Sequence, residues 1–160
     1  MNYYVRPSKR EDCYNLAKSM RKDDVQELFA STGSNPAQAL IVAYLSSHRH
    51  CYSLILEDEV VGMFGINRIN EKVGIPWLLG SDKLTKYRVE FHKLAYKYLN
   101  TFMDEYNVLF NYVDKRNWQA VRWLKVLGFT FTKLIDEYGY EKKPFYEFVK
   151  ANTCAIQQEA

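Results

Sequence analysis

The stretch Asn117-Trp118-Gln119-Ala120-Val121-Arg122-Trp123-Leu124-Lys125-Val126-Leu127-Gly128-Phe129 lies between two strand-like runs, Val108–Val113 and one that begins at Thr130. Val121, Leu124 and Leu127/Gly128 recur at helical spacing and predict a helix with a core-facing stripe. The short side chain of Asn117 is expected to cap the first turn by accepting from one of its unpaired amides. Gly128 suits the left-handed residue that ends such a helix, and Phe129 then anchors the return strand. The stretch therefore reads as strand–helix–strand.

Working towards the N-terminus, Thr85–Tyr106 is predicted to be one long amphipathic helix. Phe91, Leu94/Ala95, Tyr98/Leu99, Phe102 and Tyr106 mark its buried stripe. A helix between two strands is a crossover, so Val73–Leu79 and Val108–Val113 are expected to run parallel. Val73–Leu79 is apolar on both faces, as in a central strand. Cys51–Leu56 and Val60–Ile66 flank Glu57-Asp58-Glu59 and read as a hairpin. Tyr3–Arg6 is a short strand stopped by Pro7. Ser8 with Glu11 forms a capping-box pattern for a helix over Lys9–Met20. Asp23–Ala30 is a second helix, and Asn35-Pro36 opens a third that continues towards Ser47. Beyond the central unit, Thr130–Asp136 and Phe145–Lys150 form a hairpin around Tyr138-Gly139-Tyr140. Residues 1–150 read as a single domain and Ala151–Ala160 as a polar tail.

The 160 residues suffice for one domain with a real core. A net charge of +3 is too small to indicate a dedicated nucleic-acid protein. No apolar run approaches the roughly 20 residues that span a bilayer, and Met1–Arg6 lacks the apolar stretch of a signal peptide. Cys13, Cys51 and Cys154 are odd in number and widely spaced, which favours reduced thiols in a cytoplasmic setting. His48-Arg49-His50 has no neighbouring Cys, Asp or Glu to complete a metal pattern, so no metal is expected.

Asn117-x-x-Ala120 with Gly128-Phe129 closing the helix resembles the last helix of the GCN5-related N-acetyltransferases, the GNAT superfamily. Val5-Arg6-Pro7 with Glu11-Asp12, and Leu54–Gly62 with its acidic turn, resemble earlier parts of that family in the correct order. The resemblance implies an α/β (α+β) GNAT fold: a mixed central sheet of about seven strands, flanked by helices, with a splayed parallel pair. It implies acetyl-CoA as cofactor and transfer of an acyl group to an amine. The second half, from Trp77 to Lys150, resembles a small GNAT-like family encoded by tailed phages that includes an internal virion protein of T7-like phages. The parts that carry this are Pro76–Asp82 with the basic helix after it, Leu109–Val113 leading into Asn117, and Arg122–Lys125. It implies a phage-encoded protein, located in the bacterial host cytoplasm or packaged in the virion.

Acetyl-CoA in this superfamily lies with its pyrophosphate on a glycine-rich loop that opens the long helix, where bare amides and the helix dipole face the anion. The corresponding residues here are Leu78, Leu79, Gly80, Ser81, Lys83, Lys86 and Arg88, with Asn117 beside the thiol. The loop has one glycine, and Asp82 opposes a phosphate. Position 124, where many members carry a tyrosine acid, is Leu124. The catalytic candidates are Tyr112, Asp114, Tyr138 and Tyr140, each of which has packing as its simpler explanation. Trp118, Arg122 and Trp123 have the composition of an interface anchor for a host or virion protein. Two functions remain open: an N-acyltransferase, or a GNAT-fold binding protein without the reaction.

Overall fold

The computed structural model describes residues 2–47 and 49–152. In chain order the elements are β1 (Tyr3–Pro7), α1 (Arg10–Ala17), α2 (Lys22–Thr32), α3 (Pro36–Ser46), β2 (Cys51–Leu56), β3 (Glu59–Arg68) and β4 (Val73–Gly80). There follow α4 (Asp82–Lys86), α5 (Arg88–Glu105), β5 (Val108–Asp114), α6 (Trp118–Val126), β6 (Thr130–Tyr138) and β7 (Lys143–Ala151). The seven strands form one sheet in the order β1-β2-β3-β4-β5-β7-β6. Every neighbouring pair is antiparallel except β4–β5, which is parallel. That pair shares only the register Val73↔Val108 and Gly74↔Leu109, at the starts of both strands. Beyond it β4 and β5 splay apart, as the GNAT resemblance implies.

Local chemistry explains most of the element ends. Asn35 caps α3 by accepting from the Gln38 amide at 2.9 Å, and Gln38 answers to the Asn35 amide at 3.1 Å. The β2–β3 turn places Glu57 and Asp58 at φ of 47° and 65°, a primed turn that matches strand twist. Gly128 ends α6 at φ 93°, as its sequence position predicts.

The structure also revises three boundaries and one cap. The α1 cap is Lys9, not Ser8: the Asp12 carboxylate accepts from the Lys9 amide at 2.8 Å, and the Ser8 hydroxyl bonds Ser53 instead. The expected Thr85–Tyr106 helix is two helices, broken at Tyr87 (φ −109°, ψ 37°). The break lets Leu84 and Tyr87 pack on the buried cluster of Leu54, Leu56, Val61 and Phe91, and burial outweighs helical continuity there. Asn117 stands at the α6 N-cap but makes no capping bond; its side chain is used elsewhere. Ala151 ends β7, and Asn152 is bonded to Asn107 and Met103, so the domain extends past residue 150. The rest of the expected tail lies outside the described residues.

Two main cores lie on opposite faces of the sheet. Leu99, Phe102, Tyr106, Leu109 and Val113 pack with Val121, Leu127 and Phe129 under α5 and α6. Cys13, Leu16, Leu40, Ile55, Met63 and Leu79 pack under α1 and α3. Side chains of this size contribute about 1.5–3 kcal/mol each when fully buried. The buried Asp12 is held by Arg6 at 2.7 and 2.9 Å and by the Ser53 hydroxyl at 2.7 Å. Burial opposes its charge, yet these bonds keep its pKa below the ordinary carboxylate value.

Candidate functional site

The splay leaves a gap whose walls follow from strand alternation. Ser81 donates to Val61 and Ile69 to Val73, so odd-numbered residues of β4 bond to β3. Even-numbered residues turn their N–H and C=O towards the gap. At Pro76 there is no N–H, and its carbonyl accepts from the Asn111 side chain at 2.8 Å. Asn111 also accepts from the Tyr112 amide at 2.7 Å, so this one side chain wedges the narrow end of the gap. Leu78 presents its N–H and C=O without a protein partner among the described residues. Gly80, at the wide end, is fully engaged: its N–H donates to Asp24 at 3.1 Å and its C=O accepts from the Arg21 amide at 2.9 Å.

Helix α2 bars this wide end. Asp24 and Glu27, three residues apart on one helical face, reach the two diverging strands: Asp24 takes the Gly80 amide, and Glu27 accepts from the Asp114 amide at 2.8 Å. Asn117 supports both carboxylates, at 3.3 and 3.4 Å, and its own oxygen accepts from Arg21 at 3.2 Å. The far end of α2 is gripped by the β6–β7 hairpin, where the amides of Tyr140 and Glu141 donate to the carbonyls of Ser31 and Ala30. Gly139 (φ 74°) sits against Ser31 so closely that a Cβ would stand 2.7 Å from its backbone. Burial pushes the Glu27 carboxyl up to about 8, with the charges of Asp24 and Asp114 adding and the Asp114 amide opposing. Burial raises Asp24 as well, against the pull of Arg21.

Between wedge and bar lies a cleft of about 840 Å³, walled by Pro76, Leu78, Phe64, Tyr98 and Leu124 and opening between α5 and α6. Of the residues expected to hold a cofactor, Leu78, Leu79, Gly80, Arg88 and Asn117 line it; Ser81, Lys83 and Lys86 do not. The loop amides are turned into the protein: Ser81 donates to Val61, Lys83 to the Ser81 hydroxyl and Leu84 to the Ser81 carbonyl. Lys83 pairs with Glu59, Lys86 lies over the Tyr87 ring, and the Leu84 side chain fills the hollow between Gly62 and Gly80.

Among the catalytic candidates, Tyr112 and Tyr138 line the cleft, stacked at 4.8 Å, and burial raises both hydroxyls. Asp114 is buried against Arg116 at 2.7 Å, and Tyr140 is exposed against Phe29; neither lines the cleft. Leu124 packs on the core. Trp118 and Arg122 are exposed, with the guanidinium 5.8 Å from the ring centre. Trp123 is half-buried and donates to His92 at 3.3 Å, so it joins α6 to α5 rather than standing free. His50 bonds Glu105 and Tyr52; His48 lies outside the described residues, and among the described residues no metal-holding cluster occurs. Arg21, Asp24 and Glu27 went unread in the sequence. Their only signal is Asp-x-x-Glu in a helix, which a solvated face shows equally well.

A family profile described as "Bacteriophage T7, probable scaffold protein Gp13" matches residues 69–138, the span from the end of β3 to β6. No curated protein sequence matches the chain. Among solved structures, Ard1 from Thermoplasma volcanium superposes with a TM-score of 0.72 at 16% identity, covering 94% of this chain and 98% of that one. A GNAT-family acetyltransferase from Bacillus anthracis gives 0.70 at 13%, covering 94% and 95%. A GNAT-family acetyltransferase from Elizabethkingia anophelis with acetyl-CoA bound gives 0.63 at 12%, covering 94% and 99%. At these identities the likeness establishes the fold: this chain is built on the GNAT architecture from β1 to β7.

Proposed function

We propose that this chain is a phage GNAT-fold protein that works by binding a protein partner during particle assembly, not by acetyl transfer. The observation that carries this reading is the direction of the loop amides. Gly80, Ser81, Lys83 and Leu84 donate to Asp24, Val61 and Ser81, where the acetyltransferases of this fold direct bare amides at pyrophosphate. An amide already bonded inside the protein offers nothing to an anion, and the Asp24 carboxylate repels one. Leu124 in place of a proton donor supports the same reading. So does the match to a phage family described as a scaffold protein, since the matched span contains β4, β5 and α6.

A second reading, an acetyl-CoA-dependent N-acetyltransferase, is favoured by one feature: Leu78 offers an open N–H and C=O inside an apolar cleft, with Glu27 (pKa about 8) at its far end as a base for an amine. Acetyl-CoA would then lie along Leu78 with its phosphates near Arg88, and it would supply the thioester that the amine attacks.

Calorimetry separates the two. Titration with millimolar acetyl-CoA at low salt is expected to give no saturable heat. Saturable binding, with thiol release on adding a polyamine or peptide amine, would replace the binding reading with the enzymatic one.

A further inference from the structure

The cleft mouth between α5 and α6 carries an uneven surface. Val89 on α5 and Trp118 and Val126 on α6 are 61%, 55% and 67% exposed. Cations stand among them: Arg88 and Lys93 on α5, Arg122 on α6. The acidic residues lining the cleft, Asp24 and Glu27, lie at the opposite end on α2, so the charged residues that line this mouth are all basic, with Glu90 of α5 outside the lining.

We infer that this mouth is a docking groove for an acidic amphipathic helix of a partner protein. The inference rests on the binding reading above and names the chemistry of the partner. Charge complementarity fixes the sign, because carboxylates on the partner would meet Arg88, Lys93 and Arg122. The aliphatic residues fix the class. Bases stack on aromatic rings and gain little from valines, whereas a helix presents apolar side chains at i, i+3, i+4 and i+7 that Val89 and Val126 can receive. Trp118, held under the Arg122 guanidinium, is the aromatic anchor that such grooves concentrate their affinity on.

The test is selection of a displayed library of random 16-residue peptides on the full chain, with Arg122→Glu and Val126→Asp variants in parallel. Both substitutions are at exposed positions, and circular dichroism is to be recorded first to check that each variant is folded. Enriched peptides should be acidic, with apolar residues at helical spacing. Their binding should fall at least tenfold in each variant and weaken as salt rises. No enrichment, enrichment of neutral or basic peptides, undiminished binding by Arg122→Glu, or binding only of single-stranded oligonucleotides would overturn the inference. The acetyl-CoA titration is scored separately. Failure of the peptides while acetyl-CoA stays unbound removes only the acidic partner; saturable acetyl-CoA binding that displaces the peptides removes the reading beneath it.

Discussion

Glu27 spans the splay as an acceptor for the Asp114 amide, and burial displaces its ionisation. Its folded pKa, about 8, lies above the ordinary glutamate value of 4.5, so the native state holds a proton that the unfolded chain releases. The sign follows from linkage: the carboxyl costs nothing below about pH 4.5, and stability falls as pH rises from there through about 8. Between pH 5 and 9 the melting temperature of the native protein should therefore drop by a few degrees more than that of Glu27→Gln. The glutamine keeps an oxygen for the Asp114 amide but cannot ionise. Parallel melting curves for the two proteins across that range would show that Glu27 is solvated well enough to titrate normally.

At the scale of elements, α2 and the β6–β7 hairpin act together. Gly139 takes a positive φ while its α-carbon faces Ser31 and Ala30, so a methyl group there is opposed by both backbone strain and contact with backbone atoms at 2.7–2.8 Å. Gly139→Ala is expected to destabilise by about 1–3 kcal/mol, measured from the urea midpoint at constant m-value. An unchanged midpoint would mean the hairpin tip does not grip α2. The elements also show what the sequence could tell. Apolar runs located every strand, because residues such as Leu54, Val61, Leu79 and Leu109 are buried by the sheet itself. Helical periodicity ran Thr85 and Lys86 into α5 because the apolar stripe from Phe91 carries no mark of the break at Tyr87, which follows from Leu84 and Tyr87 packing on Leu54, Leu56, Val61 and Phe91. It assigned Asn117 to a cap because a cap is local. The bonds this side chain makes, to Arg21, Asp24 and Glu27, join segments far apart in sequence, and no local pattern records them. The cleft was legible as a place, then, but not as a set of partners.

For the molecule as a whole, the seven strands behave as two sheets hinged at Val73–Gly74 and Val108–Leu109. Asn111 wedges the hinge and α2 spans its open side. Leu78 lies between them with its amide unbonded among the described residues, flanked by Trp77 and Leu79, whose amides are in the β3 ladder. Hydrogen exchange should accordingly find the Leu78 amide the fastest within β4 by at least tenfold. Protection equal to that of Leu79 would show a bond closing the gap in solution.

The clasp on α2 also has a consequence for how the chain is made. Strands β1 to β4 are joined in order by antiparallel neighbours, so this part can assemble while the rest is still on the ribosome. Gly80 of β4 can take its bonds to Arg21 and Asp24 early, but the other partners that fix α2 arrive late: Asp114 and Asn117 first, then the Gly139–Glu141 tip. Contacts so distant along the chain form slowly and near the end of folding. Until then Glu27 lacks its bonds to Asp114 and Asn117, and Val113 and Phe145 have yet to reach the core. A nascent chain that ends before residue 139 thus lacks the Tyr140 and Glu141 bonds that hold the far end of α2.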